Sequence, residues 1–190
     1  ILKETGEIVD NCQKRPQRLF EERELSVDEC AGYLQKAINL LKSQTAASGS
    51  SEGTLKVIIT VSPIRYAKYG YHGSQLSKAT LLLAADKLVK ENPGVVSYFP
   101  AYEIMNDELR DYRFYKEDML HPSEQAVEYI WERFRATYFG KAAEQFLEDW
   151  RPIREALGHK PFHPESEEHQ KFIARTEEKK RQFEEKYHLL

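Results

Sequence analysis

Apolar positions change period along this chain, and each change marks an element. Apolar and polar residues alternate on either side of Thr5-Gly6, which predicts a strand end, a tight turn and a short return strand within residues 1–11. Ser26-Val27-Asp28-Glu29 is a capping-box pattern. Behind it Tyr33, Leu34, Ala37, Ile38 and Leu41 fall at helical spacing, predicting a helix to about Ser43. Residues 46–53 are small and polar, a surface loop. Leu55-Lys56-Val57-Ile58-Ile59-Thr60-Val61 is almost unbroken and β-branched, the pattern of a strand covered on both faces of a parallel sheet. A Tyr- and Gly-rich loop follows over 64–73. The next helix spans 75–91, with Leu76, Ala79, Leu82, Leu83 and Leu88 inward and Asn92-Pro93-Gly94 as its stop. Residues 95–99 read as a second buried strand, and the helix–strand alternation predicts an α/β sheet with parallel neighbours.

Past residue 121 the periodicity is helical throughout. Pro122 suits a first helical position, and Val127, Ile130, Trp131, Phe134 and Tyr138 form the expected inward stripe. Gly140 separates this helix from another over 141–157, and a Pro/His-rich hinge follows over 159–164. The tail from Glu165 carries seven glutamates against six Lys and Arg. Glu167/Lys171 and Glu177/Arg181 stand at i,i+4, as an exposed helix would place them. Phe172, Ile173, Phe183 and Tyr187 give it a sparse apolar stripe. The expected organisation is one domain over 1–140 and a helical extension over 141–190.

Composition narrows the functional classes. The chain has 190 residues, 41% hydrophobic and 31% charged, with a formal net charge of -3. That balance argues against nucleic acid and anionic membranes as partners. No apolar run approaches a membrane span. Cys12 and Cys30 are too few for a disulfide framework or a metal site and read as free thiols in a reducing compartment, so a cytoplasmic location is expected.

The candidate chemistry lies in Tyr115-Lys116-Glu117-Asp118-Met119-Leu120-His121-Pro122-Ser123. If residues 118–121 make one turn, the Asp118 carboxylate can accept the His121 Nδ1–H and leave Nε2 free to take a proton. Asp-x-x-His alone is also ordinary loop and N-cap chemistry. Its place after the last strand and before a helix favours a site, because ligands collect outside the carboxyl ends of such strands. His72, in Gly70-Tyr71-His72-Gly73, reads equally as a residue lining a cleft and as a solvated loop histidine; His159, His163 and His169 match no zinc spacing, and His188 sits near the terminus. Ser62 reads as a strand-ending turn, while Ser74 and Ser77 read as helix N-cap and first-turn residues. There is no Gly-x-Ser-x-Gly elbow, no phosphate loop and no EF-hand.

Four further segments precede the Asp118–His121 block: Gly6-Glu7-Ile8-Val9-Asp10-Asn11-Cys12-Gln13-Lys14-Arg15-Pro16, Thr60-Val61-Ser62-Pro63, Gly73-Ser74-Gln75-Leu76-Ser77-Lys78-Ala79 and Tyr98-Phe99-Pro100-Ala101-Tyr102-Glu103-Ile104. In this order they resemble the bacterial GSCFA-domain family, related to the SGNH (GDSL-like) hydrolases, over roughly residues 1–140. The resemblance implies a three-layer α/β/α, flavodoxin-like parallel sheet and a Ser–His–Asp centre acting on O-acyl esters without metal or organic cofactor. It implies Asp118 and His121 as the acid and base, and Asn11 as an oxyanion donor. Gln13 stands where the family commonly has His. The Gly-Ser-Cys-Phe-Ala motif bearing the nucleophile is absent, so the chain reads as a C-terminal portion whose first strands lie upstream of Ile1.

The expected function is therefore an SGNH-type serine esterase or O-acyltransferase acting on a small-molecule or carbohydrate acyl ester. The rival expectation is a non-catalytic binding or scaffold domain retaining the fold; a Cys12-based enzyme is a third. Self-association through an exposed sheet edge or the C-terminal helix is the expected protein contact.

Overall fold

The computed structural model describes residues 1–9, 12–47, 55–161 and 165–189. They divide into two compact units, Ile1–Val127 and Glu128–Leu190. The result is a predominantly helical α/β protein with one small parallel sheet.

In the first unit, helix α1 (Val27–Ala47) starts as its capping box dictates. The Glu29 N–H donates to Ser26 Oγ at 3.2 Å, and the Ser26 N–H donates to Glu29 Oε2 at 2.9 Å. Strand β1 (Val57–Ile59), helix α2 (Gly70–Glu91) and strand β2 (Val96–Tyr98) follow. The strands are parallel, with Val57 opposite Val96 and Ile59 opposite Tyr98. Ala31 and Ile38 of α1, Ala84 and Leu88 of α2, and Val96 form the core, against which Val57 and Ile59 pack. Both helices therefore cover the same face of β1. Asn92 closes α2 and joins it to α1: its Nδ2 donates to Gln35 Oε1 at 2.6 Å, and its Oδ1 accepts from Lys42 Nζ at 3.1 Å.

Several expectations change here. The strands are shorter than their apolar runs, and β1 is not covered on both faces, since Ile58 is 39% exposed. Tyr33, Leu34 and Leu41 of α1 and Leu76 and Leu83 of α2 are exposed as well. Two strands of three residues are too narrow to cover both helical stripes, so the small residues Ala31 and Ala84 hold the contact instead. The turn at Thr5-Gly6 forms, with Gly6 at φ +72° and the Leu2 N–H donating to the Glu7 carbonyl at 2.9 Å. No hairpin strand follows it among the described residues, because Leu2 pairs antiparallel with Phe20. Asp10 and Asn11 lie outside the described residues.

Helix α2 begins at Gly70, so His72 is in its first turn and Ser74 is inside it. Ser74 is no N-cap: its Oγ accepts the Tyr66 N–H at 3.2 Å and holds the preceding loop. After β2 the chain turns through α3 (Ala101–Glu103) into a π-helical segment, Ile104–Leu109, ended by Arg110 in the left-handed region. Helix α4 (Glu124–Tyr138) starts two residues beyond Pro122, which instead bridges to Tyr115. Ser123 provides the start, its Oγ accepting the Ala126 N–H at 3.3 Å. Ala126 is buried there and Val127 is exposed, which shifts the inward stripe.

In the second unit, helices α5 (Lys141–Gly158) and α6 (Glu167–Lys186) pack on each other. Phe146 and Trp150 meet Phe183 with ring centroids 4.9 and 5.1 Å apart. Asp149 accepts from Lys186 Nζ at 2.5 Å and from the Tyr187 hydroxyl at 2.7 Å. These bonds, Lys186 first, hold its carboxyl down at about 2. The tail helix thus docks by Thr176 and Phe183, with Phe172 and Ile173 left exposed. Among the described residues no helix is long and apolar enough to cross a membrane.

Candidate functional site

Residues 115–123 form a closed loop. The Lys116 N–H donates to the His121 carbonyl at 2.8 Å, the Met119 N–H to the Lys116 carbonyl at 2.9 Å, and the Ser123 N–H to the Phe114 carbonyl at 2.7 Å. The turn so tight a closure requires puts Met119 at φ +60°. A left-handed conformation costs a non-glycine residue about 1–2 kcal/mol, so neighbouring contacts must hold it.

The same turn brings Asp118 and His121 together. Asp118 Oδ1 accepts the backbone N–H groups of Leu120 at 2.9 Å and His121 at 3.0 Å, and Oδ2 lies 2.6 Å from His121 Nδ1. The two backbone bonds, then the ring, hold the Asp118 carboxyl down at about 2. An ionised carboxylate only accepts, so the shared proton sits on Nδ1, and in the neutral ring that tautomer makes Nε2 the acceptor. The His121 side chain is 53% exposed and that of Asp118 44%. The pair can therefore take a proton from a group arriving from solvent and stabilise the imidazolium that results.

The loop leaving β1 reaches this site. The Arg65 N–H donates to the Leu120 carbonyl at 3.0 Å, and Arg65 Nη1 donates to the Met119 carbonyl at 3.4 Å. The guanidinium lies 4.0 Å from the Tyr115 ring centroid and 5.7 Å from that of Tyr112. Helix α2 fixes the same loop on either side of Arg65, through Ser74 to Tyr66 and through Lys78, whose Nζ donates to the Ser62 carbonyl at 2.6 Å. Burial pushes the Lys78 ammonium below its ordinary pKa. On the far strand, the Tyr98 hydroxyl donates to both oxygens of Glu103, at 3.1 and 2.8 Å, tying β2 to α3. Burial first, then Glu103, raises the Tyr98 pKa.

The other candidates are dispersed. The Ser62 hydroxyl accepts the Ile64 N–H at 3.4 Å, a turn role. Cys12 lines a groove of about 400 Å³ with Leu2, Ile8, Arg15 and Phe20, which neither Asp118 nor His121 borders. Cys12 and Cys30 are free thiols. His159 and His169 pack against the Phe172 ring; His163 is outside the described residues. Among those residues no three His, Cys, Asp or Glu side chains gather as metal ligands. Asn11 is likewise outside the described residues. Arg65 and Met119 escaped the sequence reading. The signal for Arg65 was its place in the loop at the carboxyl end of a parallel strand, the same argument that singled out the loop of Asp118.

No curated protein and no solved structure matches the chain. Two family models do. The GSCFA family matches residues 1–134, and the model described as GSCFA domain protein, C-terminal domain, matches residues 150–190. The first covers more than half of the chain and contains the whole Asp118–His121 loop, so the chain belongs to the GSCFA family.

Proposed function

We propose that this chain carries the acid–base half of an SGNH-type serine esterase or O-acyltransferase. The observation that carries the reading is the 2.6 Å contact between His121 Nδ1 and an ionised Asp118, which leaves Nε2 open as a base. In this reading a serine hydroxyl, supplied by chain N-terminal to Ile1, gives its proton to His121 Nε2 and attacks the ester carbonyl. His121 returns the proton to the departing alkoxide, leaving an acyl-serine. Water, or a second alcohol in the transferase case, then adds with the same base and regenerates the serine. Asn11 donates to the oxyanion.

No metal or organic cofactor is needed for these steps. The parallel pairing of β1 with β2 is compatible with a larger three-layer α/β/α sheet, which the proposal assigns to the intact domain. The substrate class is a small-molecule or carbohydrate acyl ester. Two free thiols fit a reducing compartment, so the cytoplasm is the location this reading assigns.

The test uses the full-length protein and 4-nitrophenyl acetate. His121→Ala should lower turnover by about 10²–10⁴, the usual worth of general-base catalysis. Unchanged turnover would sink the assignment and leave the non-catalytic binding domain in its place.

A further inference from the structure

We propose that Arg65 is the positioning residue of the Asp118–His121 pair, acting through the Met119 carbonyl and the Tyr115 ring; this rests on the catalytic reading above. The loop of residues 115–121 stores the left-handed backbone of Met119, and the two carbonyls around it, those of Met119 and Leu120, both accept from Arg65. The guanidinium 4.0 Å from the Tyr115 ring centroid grips the start of the same loop. One residue thus holds the loop at three points, its side chain at the Tyr115 ring and the Met119 carbonyl and its backbone N–H at the Leu120 carbonyl. Arg65 is itself held: the Ser62 carbonyl and the Tyr66 N–H, on either side of it, bond to Lys78 and Ser74 of α2. These links run from two buried residues of α2, Ser74 and Lys78, to the loop that carries the imidazole, as a rigid scaffold for a catalytic group requires.

The arrangement suits arginine specifically. Its planar fork can donate to a carbonyl while its face lies on a ring, and lysine offers no such plane. Among the described residues, the Arg65 side chain is matched with rings and a carbonyl and with no carboxylate. Its work is therefore mechanical bracing of the loop.

Arg65→Met and Arg65→Lys in the full-length protein test this, beside His121→Ala. The backbone N–H to Leu120 survives both changes, so the loop stays attached. Loss of aim is expected to lower kcat roughly 10²-fold with KM little changed, the usual cost of a displacement of about 1 Å. Tyr115→Leu should reproduce the loss, Tyr115→Phe should restore most of it, and Arg65→Met with Tyr115→Leu should cost less than the sum of the two. Proton NMR of the present chain supplies a readout independent of turnover. The downfield His121 Nδ1–H resonance should broaden or vanish in Arg65→Met while circular dichroism stays unchanged. If that resonance persists and kcat holds while His121→Ala is inactive, Arg65 is not the positioning residue and the catalytic reading survives. If His121→Ala keeps its activity, the catalytic reading fails, and the Nδ1–H resonance alone decides whether Arg65 braces the pair.

Discussion

Asp118 binds His121 twice, once through the ring at Nδ1 and once through the backbone N–H, with a different carboxylate oxygen for each bond. The backbone bond sets the turn and the ring bond sets the tautomer, so one side chain does both jobs.

Asp118→Asn separates them. The amide oxygen can still accept the backbone N–H groups, while the amide NH₂ presents a donor to Nδ1 and favours the wrong tautomer. Full-length Asp118→Asn should keep the loop and lose about 10⁴-fold in kcat. A loss no greater than a few-fold, measured at saturating ester, would remove Asp118 from the proposed chemistry.

Acid titration reports the same pair. The Asp118 pKa is depressed to about 2, so its contribution to stability is fully present above the ordinary aspartate value of about 3.9 and is lost as pH falls towards 2. The backbone bonds are the larger cause, and His121→Ala leaves both backbone N–H groups in place. Carbon-13 NMR of the Asp118 carboxyl should therefore show a midpoint that rises in His121→Ala yet stays below the ordinary value. A midpoint at the ordinary value would make the ring the dominant cause.

Core packing separates two leucines of one helix. Leu88 is fully buried in the cluster between α1, α2 and β2, whereas Leu83 is 58% exposed. Leu88→Ala should destabilise the first unit by about 2–5 kcal/mol in urea unfolding, and Leu83→Ala by roughly 0.5 kcal/mol or less. Equal effects would contradict the assignment of the core.

Local rules were legible in the sequence wherever their partners lie within a few residues. Ser26 with Glu29 and Asp118 with His121 are of this kind, while the parallel sense of β1 and β2 was legible from the order of elements, with a helix between the strands. The rest depended on distant partners. Apolar periodicity marked Leu34 and Leu76 as inward, but how much of a stripe is covered depends on the width of the sheet opposite. Ser74 carried an N-cap residue type, yet its hydroxyl serves Tyr66 across a loop. Arg65 carried no motif of its own, because the Met119 and Leu120 carbonyls it bonds lie more than fifty residues away.

The register of the sheet has a kinetic consequence. Val57 cannot meet Val96 until all of α2, which lies between them, has folded back across the strands. Closing so long a loop is entropically costly and must precede any contact that rewards it. The bond from Arg65 to Leu120 closes a longer loop still, one that holds α2, β2 and the turn after β2. The attachment of the Asp118–His121 loop to Arg65 should therefore mature among the last features of the first unit, and in pulsed hydrogen exchange during refolding the Arg65 amide should gain protection no earlier than that of Phe99, which bonds Ile59.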